Sequence, residues 1–326
     1  MLIGEGYRTF PVLIYIQFIS EVGGNSAFAI MAIIIALAIF LIQKHIANRY
    51  SFSMNLLHPI EPKKTTKGKM AAIYATVYGI IFISVLPQIY LIYTSFLKTS
   101  GMVFVKGYSP NSYKVAFNRM GSAIFNTIRI PLIALVLVVL FATFISYLAV
   151  RKRNLFTNLI DSLSMVPYIV PGTVLGIAFN TGLFGSGFLM ITGTAFILIM
   201  SLSVRRLPYT IRSSVASLQQ IAPSIEEAAE SLGSSRLNIF AKITTPMMLS
   251  GIISGVILSW VTMISKLSTS ILLYNVKTRT MTVAIYTEVL RGNYGVAAAL
   301  STILTVLTVG SLLLFMKISK SNSFTL

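Results

Sequence analysis

Glu226, Glu227 and Glu230 supply three of the eight acidic residues in a chain of 326. Within Ser224-Ile225-Glu226-Glu227 the spacing is that of a capping box. The Ser224 hydroxyl is placed to accept from the Glu227 N–H, and the Glu227 carboxylate to reach back to the Ser224 N–H. Gly233 is placed to end the helix in a left-handed conformation. The pattern therefore predicts a short acidic helix over 225–232, kept slim by Ala228 and Ala229 so that a partner surface approaches its backbone closely. Such a peg binds; it does not catalyse. The absence of cysteine excludes disulfides, thiolate metal sites, iron–sulfur clusters and thiol nucleophiles. The two histidines, His45 and His58, share one polar stretch, and Asp161 is the only aspartate. A nucleophile with a base and a stabiliser, as an integral-membrane enzyme needs, is hard to assemble from this set. No G-x4-G-K-[ST] phosphate loop occurs, so nucleotide hydrolysis of that kind must come from elsewhere. No cofactor and no metal ligand set is expected.

A second group is Pro167-Tyr168-Ile169-Val170-Pro171-Gly172. Two prolines four residues apart remove N–H donors and should kink or unwind a helix, freeing carbonyls. Irregular backbone at membrane depth is tolerated only against protein or a water-filled path. Pro167, Tyr168, Pro171 and Gly172 are thus candidates for a pathway wall.

The elements that must carry these residues follow from composition. The chain is 55% hydrophobic and 10% charged, with 26 Lys+Arg and a formal charge of +18, and its mean hydropathy is +0.82. Soluble domains carry about 25% charged residues, so a polytopic all-α membrane bundle is expected, with cationic loops against anionic lipid and no nucleic-acid partner. A hydrocarbon core of about 30 Å needs about 20 apolar residues per crossing. Runs of that kind stand at 25–43, 71–96, 124–150, 159–180, 187–204, 247–266 and 295–316. Segments 44–70, 151–158, 205–246 and 317–326 hold sixteen Lys+Arg, against eight in 1–24, 97–123, 181–186 and 267–294. The positive-inside rule puts the first set, the acidic peg and the C-terminus in the cytoplasm. Arg129 and Lys266 fall near the outer ends of their runs, where snorkelling accounts for them, and Asp161 is placed to pair with Arg151 or Arg153. Gly251-x3-Gly255 offers a close helix contact.

Residues 8–27 (RTFPVLIYIQFISEVGGNSA) repeat in 279–298 (RTMTVAIYTEVLRGNYGVAA). At an offset of 271 seven positions are identical: Arg8/Arg279, Thr9/Thr280, Val12/Val283, Ile14/Ile285, Tyr15/Tyr286, Gly24/Gly295 and Ala27/Ala298. Repeats of this kind build many transporters. The expected organisation is 1–45 as the tail of a preceding permease half with one transmembrane helix, 46–70 as a cytoplasmic linker, and 71–320 as a complete half. That half has about six transmembrane helices and carries loop 205–246.

The loop resembles a known family. Binding-protein-dependent permeases of ATP-binding cassette importers carry E-A-A-x3-G-x9-I-x-L-P, and Glu227, Ala228, Ala229, Gly233, Ile243 and Pro246 stand in that register. Thr245 departs from the usual Leu. LPYTIR, SLQQIAPSIEEAAESLG and Pro167–Gly172 are similar to the same family, and 266–301 looks most like its ferric-iron branch, where fused two-half permeases are common. The resemblance implies a type I (MetI-like) membrane fold in a bacterial inner membrane and a helix that couples to a cytoplasmic ATP-binding cassette ATPase. It also implies an extracytoplasmic solute-binding protein and a second permease half or second copy. Ferric iron is the cargo it points to; thiamine, a polyamine, a phosphonate or an inorganic anion are alternatives within the same class. A free ferric ion favours carboxylate and phenolate oxygen, and the runs hold one carboxylate and several Tyr, which suits brief passage over a stable metal site. An ion-driven carrier would want buried carboxylates, and Asp161 alone qualifies.

Overall fold

The computed structural model describes residues 9, 12–14, 16, 25–49, 65–152, 154–181 and 191–323. Residues 182–186 of the expected loop 181–186, His58, Arg153 and the side chains of His45 and Asp161 lie outside the described residues, as does most of the linker and of the first repeat copy. The described residues form helices α1 (Asn25–Arg49), α2 (Lys67–Ser95), α3 (Asn111–Arg151), α4 (Leu155–Ile169), α5 (Gly172–Thr181), α6 (Ala195–Gln219), α7 (Pro223–Ser231), α8 (Arg236–Ile239), α9 (Leu249–Ile264), α10 (Ser270–Leu273), α11 (Met281–Leu290) and α12 (Tyr294–Ser323). A π-helical turn, Phe240–Thr244, and a turn at Thr245–Met247 join α8 to α9. The stretch read as an outer loop folds instead into an antiparallel hairpin, β1 (Leu97–Ser100) with β2 (Val103–Tyr108), and the first turns of α3. Gly101, at φ +61°, supplies its turn.

By length and composition α2, α3 and the Tyr294–Lys317 part of α12 are each apolar enough to cross a membrane, and two bent pairs, α4 with α5 and α8 with α9, pass together. The core is the α3–α6–α9 stack. Ile130, Ala134 and Val138 of α3 pack on Ile197, Leu198 and Leu202 of α6, with Met263 of α9 against them. A second layer joins Ala116, Met120 and Ala123 of α3 to Met281, Ala284, Ala299 and Leu300 of α11 and α12. In lipid, apolar burial drives association weakly, so small residues and interhelical hydrogen bonds do more of it. Ser203 donates to Ala134 O (3.2 Å), Ser146 to Ile211 O (3.2 Å) and Ser213 to Gly251 O (2.5 Å). Gly251 and Gly255 make the expected close approach: a Cβ on Gly255 would sit 2.5 Å from Thr210 Cα, and one on Gly251 would strike Ser217 and the Ser213 carbonyl.

Two boundaries change. In the described part of the run at 187–204, residues 191–194 are not helical and the helix runs from Ala195 to Gln219, so Arg205, Arg206 and Arg212, read as loop, are helical. The helix persists because its charges find partners inside the protein: Arg206 donates to Thr262 O (3.2 Å) and Arg205 to Val170 O (2.8 Å). The run at 159–180 does more than kink. It breaks at Val170–Pro171, and α4 and α5 meet at 110°.

Candidate functional site

The acidic helix exists as α7, which starts two residues and ends one residue before the expected 225–232. The expected capping box does not form. Ala222 is the N-cap, without a side-chain hydrogen bond, and Pro223 takes the first helical position. Proline has no N–H to satisfy there and its φ is already helical, so the start moves upstream and Ser224 falls inside the first turn. The other end is as expected. Gly233 has φ +85°, its N–H donates to Glu230 O (2.9 Å) and the Ser234 N–H donates to Ala229 O (3.1 Å), which is a Schellman closure.

Glu226 does not face solvent with its neighbours. Its Oε1 accepts from Arg151 Nε (3.0 Å) and from Thr244 Oγ1 (3.0 Å). The charge of the same carboxylate acts on the Tyr147 hydroxyl. Arg151 Nη2 also donates to Ile221 O (3.0 Å), and the Tyr147 ring packs edge-on to Phe240 at 4.9 Å. The two charged side chains are 11% and 14% exposed. The C-terminal end of α3 is thus tied to α7 and to the π turn through one carboxylate. Arg151, read as a partner of Asp161, is occupied here.

Beyond this lock α7 projects. Ser224, Glu227, Ala228 and Gly233 are exposed, and Ala229 is buried, so the slim surface is offered by Ala228 alone. Leu232 is 88% and Leu237 78% exposed, and Glu230 pairs with Arg236 at 3.1 Å in the open. Ile243 is half-buried and Pro246 exposed. Thr245 buries its Oγ1 with no partner among the described residues; a leucine there would leave no hydroxyl to satisfy.

The second group assembles around the break. Val170 O, freed by Pro171, accepts from Arg205, and Gly172 O accepts from Thr269 Oγ1 (3.1 Å). A Cβ on Gly172 would strike Ser268 Oγ, so only glycine lets α5 start this close to the 266–269 segment. Tyr168 is exposed and meets Tyr209 edge-on at 5.3 Å, and Arg206 lies over the Tyr209 ring at 5.4 Å. Pro167 is half-buried within α4. Lys266 does not snorkel outward; it is half-buried with Arg205 and Arg206 as its charged neighbours. Arg129 is exposed over the Phe125 ring at 5.9 Å. Among the described residues no three His, Cys, Asp or Glu side chains stand close enough to hold a metal ion. α7 and the broken span are not one site: Arg205, which meets the break, lies near the middle of α6, and α7 follows the C-terminal end of α6.

Known proteins agree with this architecture. Residues 144–320 match the family model described as "Binding-protein-dependent transport system inner membrane component". The ferric transport system permease protein FbpB of Actinobacillus pleuropneumoniae is 33% identical over 223 residues, 68% of this chain and 31% of that protein. A sulfate transport system permease protein, CysT of Salmonella typhimurium, is 25% identical over 187 residues, 54% of this chain and 67% of that protein. A putative 2-aminoethylphosphonate permease, PhnV of Salmonella paratyphi A, is 27% identical over 259 residues, 78% of this chain and 95% of that protein. The chain spans about a third of the length of the ferric relative. Among solved structures, a chain of a bacterial ABC transporter involved in the import of the acidic polysaccharide alginate superposes with a TM-score of 0.61 at 16% identity, covering 78% of this chain and 96% of that one. That likeness is one of fold. With the family match covering more than half of its length, this chain belongs to the inner membrane components of binding-protein-dependent transport systems.

Proposed function

We propose that the chain forms part of the translocation pathway of an ATP-binding cassette importer, with α7 as the contact for a separate cytoplasmic ATPase. The presentation of α7 carries this reading. Leu232 at the C-cap of α7 and Leu237 on α8 stand in the open, as do Glu227 and Glu230 on α7, whose base is locked to α3 through Glu226. An exposed apolar edge rimmed by charge is a docking surface, and here it suits a groove with an apolar floor and a cationic rim. The lock makes α7 a lever: force applied to its tip passes to α3 and α6. Ser224, Glu227, Ala228 and Gly233 belong to the face presented to the ATPase, while Glu226, Ala229, Ile243 and Pro246 belong to the base that holds it. The end carrying α7, and with it the C-terminus, faces the cytoplasm. The basic bias supports this at thirteen to eight once Arg205, Arg206 and Arg212 are assigned to α6.

The cargo is proposed to arrive from an extracytoplasmic binding protein and to be ferric iron, as the name of the Actinobacillus relative suggests. Sulfate or a phosphonate are the runners-up, from the names of CysT and PhnV. Pro167, Tyr168, Pro171 and Gly172 form the wall it passes. The repeat has a structural counterpart that supports a second permease half. Residues 12–14 are helical and precede α1, as α11 precedes α12, and Ile14 and Ala32 pack on Val170 and Val174 at the break. Capture of the ATPase by the membrane-inserted chain tests the coupling role. Glu227→Lys and Gly233→Asp should abolish capture with insertion unchanged; wild-type capture in both would discard it. Transport that survives ATP depletion and stops with an uncoupler would point instead to an ion-driven carrier.

A further inference from the structure

Resting on the permease reading, we infer that the cargo crosses as an anion, and that Arg205, Arg206 and Lys266 at the α4–α5 break form an oxyanion station in the pathway. Arg205 and Arg206 lie ten and eleven residues into the 25-residue α6, about midway along it. Arg206 is only 7% exposed. Among the described residues no ion pair joins a carboxylate to any of the three; Arg206 lies over the Tyr209 ring at 5.4 Å, Tyr209 meets Tyr168, and the charges that act on Lys266 are those of Arg205 and Arg206. Buried charges in a span are costly unless paired and mark ion or substrate paths. The partners these arginines have are neutral: Arg205 donates to Val170 O, and Arg206 to Thr262 O and, at 3.4 Å, to the Tyr209 hydroxyl. The Nε of each is buried without an acceptor, and so is the hydroxyl of Thr173 in the first turn of α5. That turn adds orphan N–H groups, because the break at Pro171 removes the preceding helical carbonyls, and Arg205 lies close to it: a Cβ added to Gly172 would sit 3.3 Å from Arg205 Nη1. Unmet donors, positive side chains and a half-helix N-terminus at membrane depth are the recognition set for an oxyanion. A bare trivalent iron would be repelled by the same set. A free oxyanion fits it, and so does iron wrapped in oxyanion ligands with a net negative charge.

The test uses the full chain in phosphatidylcholine nanodiscs, a zwitterionic lipid that offers no anionic headgroup to compete. Radiolabelled phosphate, sulfate and ferric citrate are measured by equilibrium dialysis against wild type, Arg206→Gln, Lys266→Gln and the charge-keeping Arg206→Lys. At least one probe should bind saturably, weaken tenfold or more in both Gln variants, and recover in Arg206→Lys. Iron retained only with citrate identifies the chelate as cargo; phosphate or sulfate held without iron identifies the free oxyanion. Absence of binding by all three probes overturns the station, as does wild-type affinity in both Gln variants. ATPase capture by the same nanodiscs keeps the two readings apart. Capture without oxyanion binding rejects the station alone, and oxyanion binding without capture rejects the coupling role alone.

Discussion

Replacing Glu226 by Ala should free α7 from the bundle without unfolding it. The wild-type carboxylate accepts from Arg151 Nε at 3.0 Å and from Thr244 Oγ1 at 3.0 Å, and Arg151 in turn donates to the Ile221 carbonyl. Breaking a fully buried pair costs about 3–5 kcal/mol, because the surviving charge is stranded. At 11% and 14% exposure, Arg151 and Glu226 stand at a water-facing end, and Arg151 keeps Ile221 O. The expected cost is therefore nearer about 2 kcal/mol, or roughly a 30-fold change in an opening equilibrium. Whole-protein melting is a poor gauge for a membrane protein, whereas amide exchange reads local opening directly. The N–H groups of Leu232, Gly233 and Ser234, bonded to Ala228, Glu230 and Ala229, should lose about 30-fold in protection, with the α3–α6–α9 core unchanged. Arg151→Met should do nearly the same, and the double variant should cost less than the two singles together, since no stranded charge remains. Unchanged protection in Glu226→Ala, or strict additivity in the cycle, would refute the lock.

The remaining expectations concern fit and strain. Gly255→Ala places a methyl 2.5 Å from Thr210 Cα, a backbone atom that cannot turn away; splaying α6 from α9 should cost about 1–3 kcal/mol, read as a lower inactivation temperature in detergent. Gly233→Val should cost about 1–2 kcal/mol because its φ of +85° is left-handed, whereas Gly233→Asn, which tolerates that region, should keep ATPase capture. Thr245→Val removes a buried hydroxyl without a partner and should stabilise by about 1 kcal/mol, seen as slower inactivation at fixed temperature.

What the sequence made legible follows the strength of each local signal. The apolar runs locate α1, α2, α3, α9 and α12, because in lipid length and hydropathy are the dominant constraint. Gly233 and the Pro171 break were readable because glycine and proline act through the backbone alone. Hydropathy failed at α6, where Arg205, Arg206 and Arg212 end an apolar run but not the helix. A signal was present: Ser203, Thr210, Ser214 and Ser217 recur at helical spacing, and Ser203 turns its hydroxyl to a neighbouring helix. The Ser224 box failed because Pro223 competes for the same N-terminus and wins without needing a cap. The Arg151–Glu226 pair, 75 residues apart, left no local pattern; only the fold brings those side chains together.

The two sites are joined by α6 itself. From Arg206 to Gln219 is thirteen residues, about 20 Å of helix at 1.5 Å per residue, and three residues separate Gln219 from the start of α7 at Pro223. Along that length the helix is held on both sides: Ser146 donates to Ile211 O, Ser213 to Gly251 O, and Gly251 and Gly255 bring α9 to backbone contact. Close-packed contacts of this kind move as a unit or not at all. A displacement of α7 is therefore not absorbed in the lower half of α6 and must appear further up, where the packing changes character. There Arg205 holds the loose end of a broken span by a single hydrogen bond to Val170 O, and α5 meets α4 at 110°. A rotation at the break is inexpensive, since Val170 O already relies on a side chain and Pro171 has no N–H to lose. An arginine that both caps the hinge and meets the cargo would make cargo and hinge compete for the same guanidinium, so that an anion held by Arg205 weakens the hold on Val170 and frees α5 to swing.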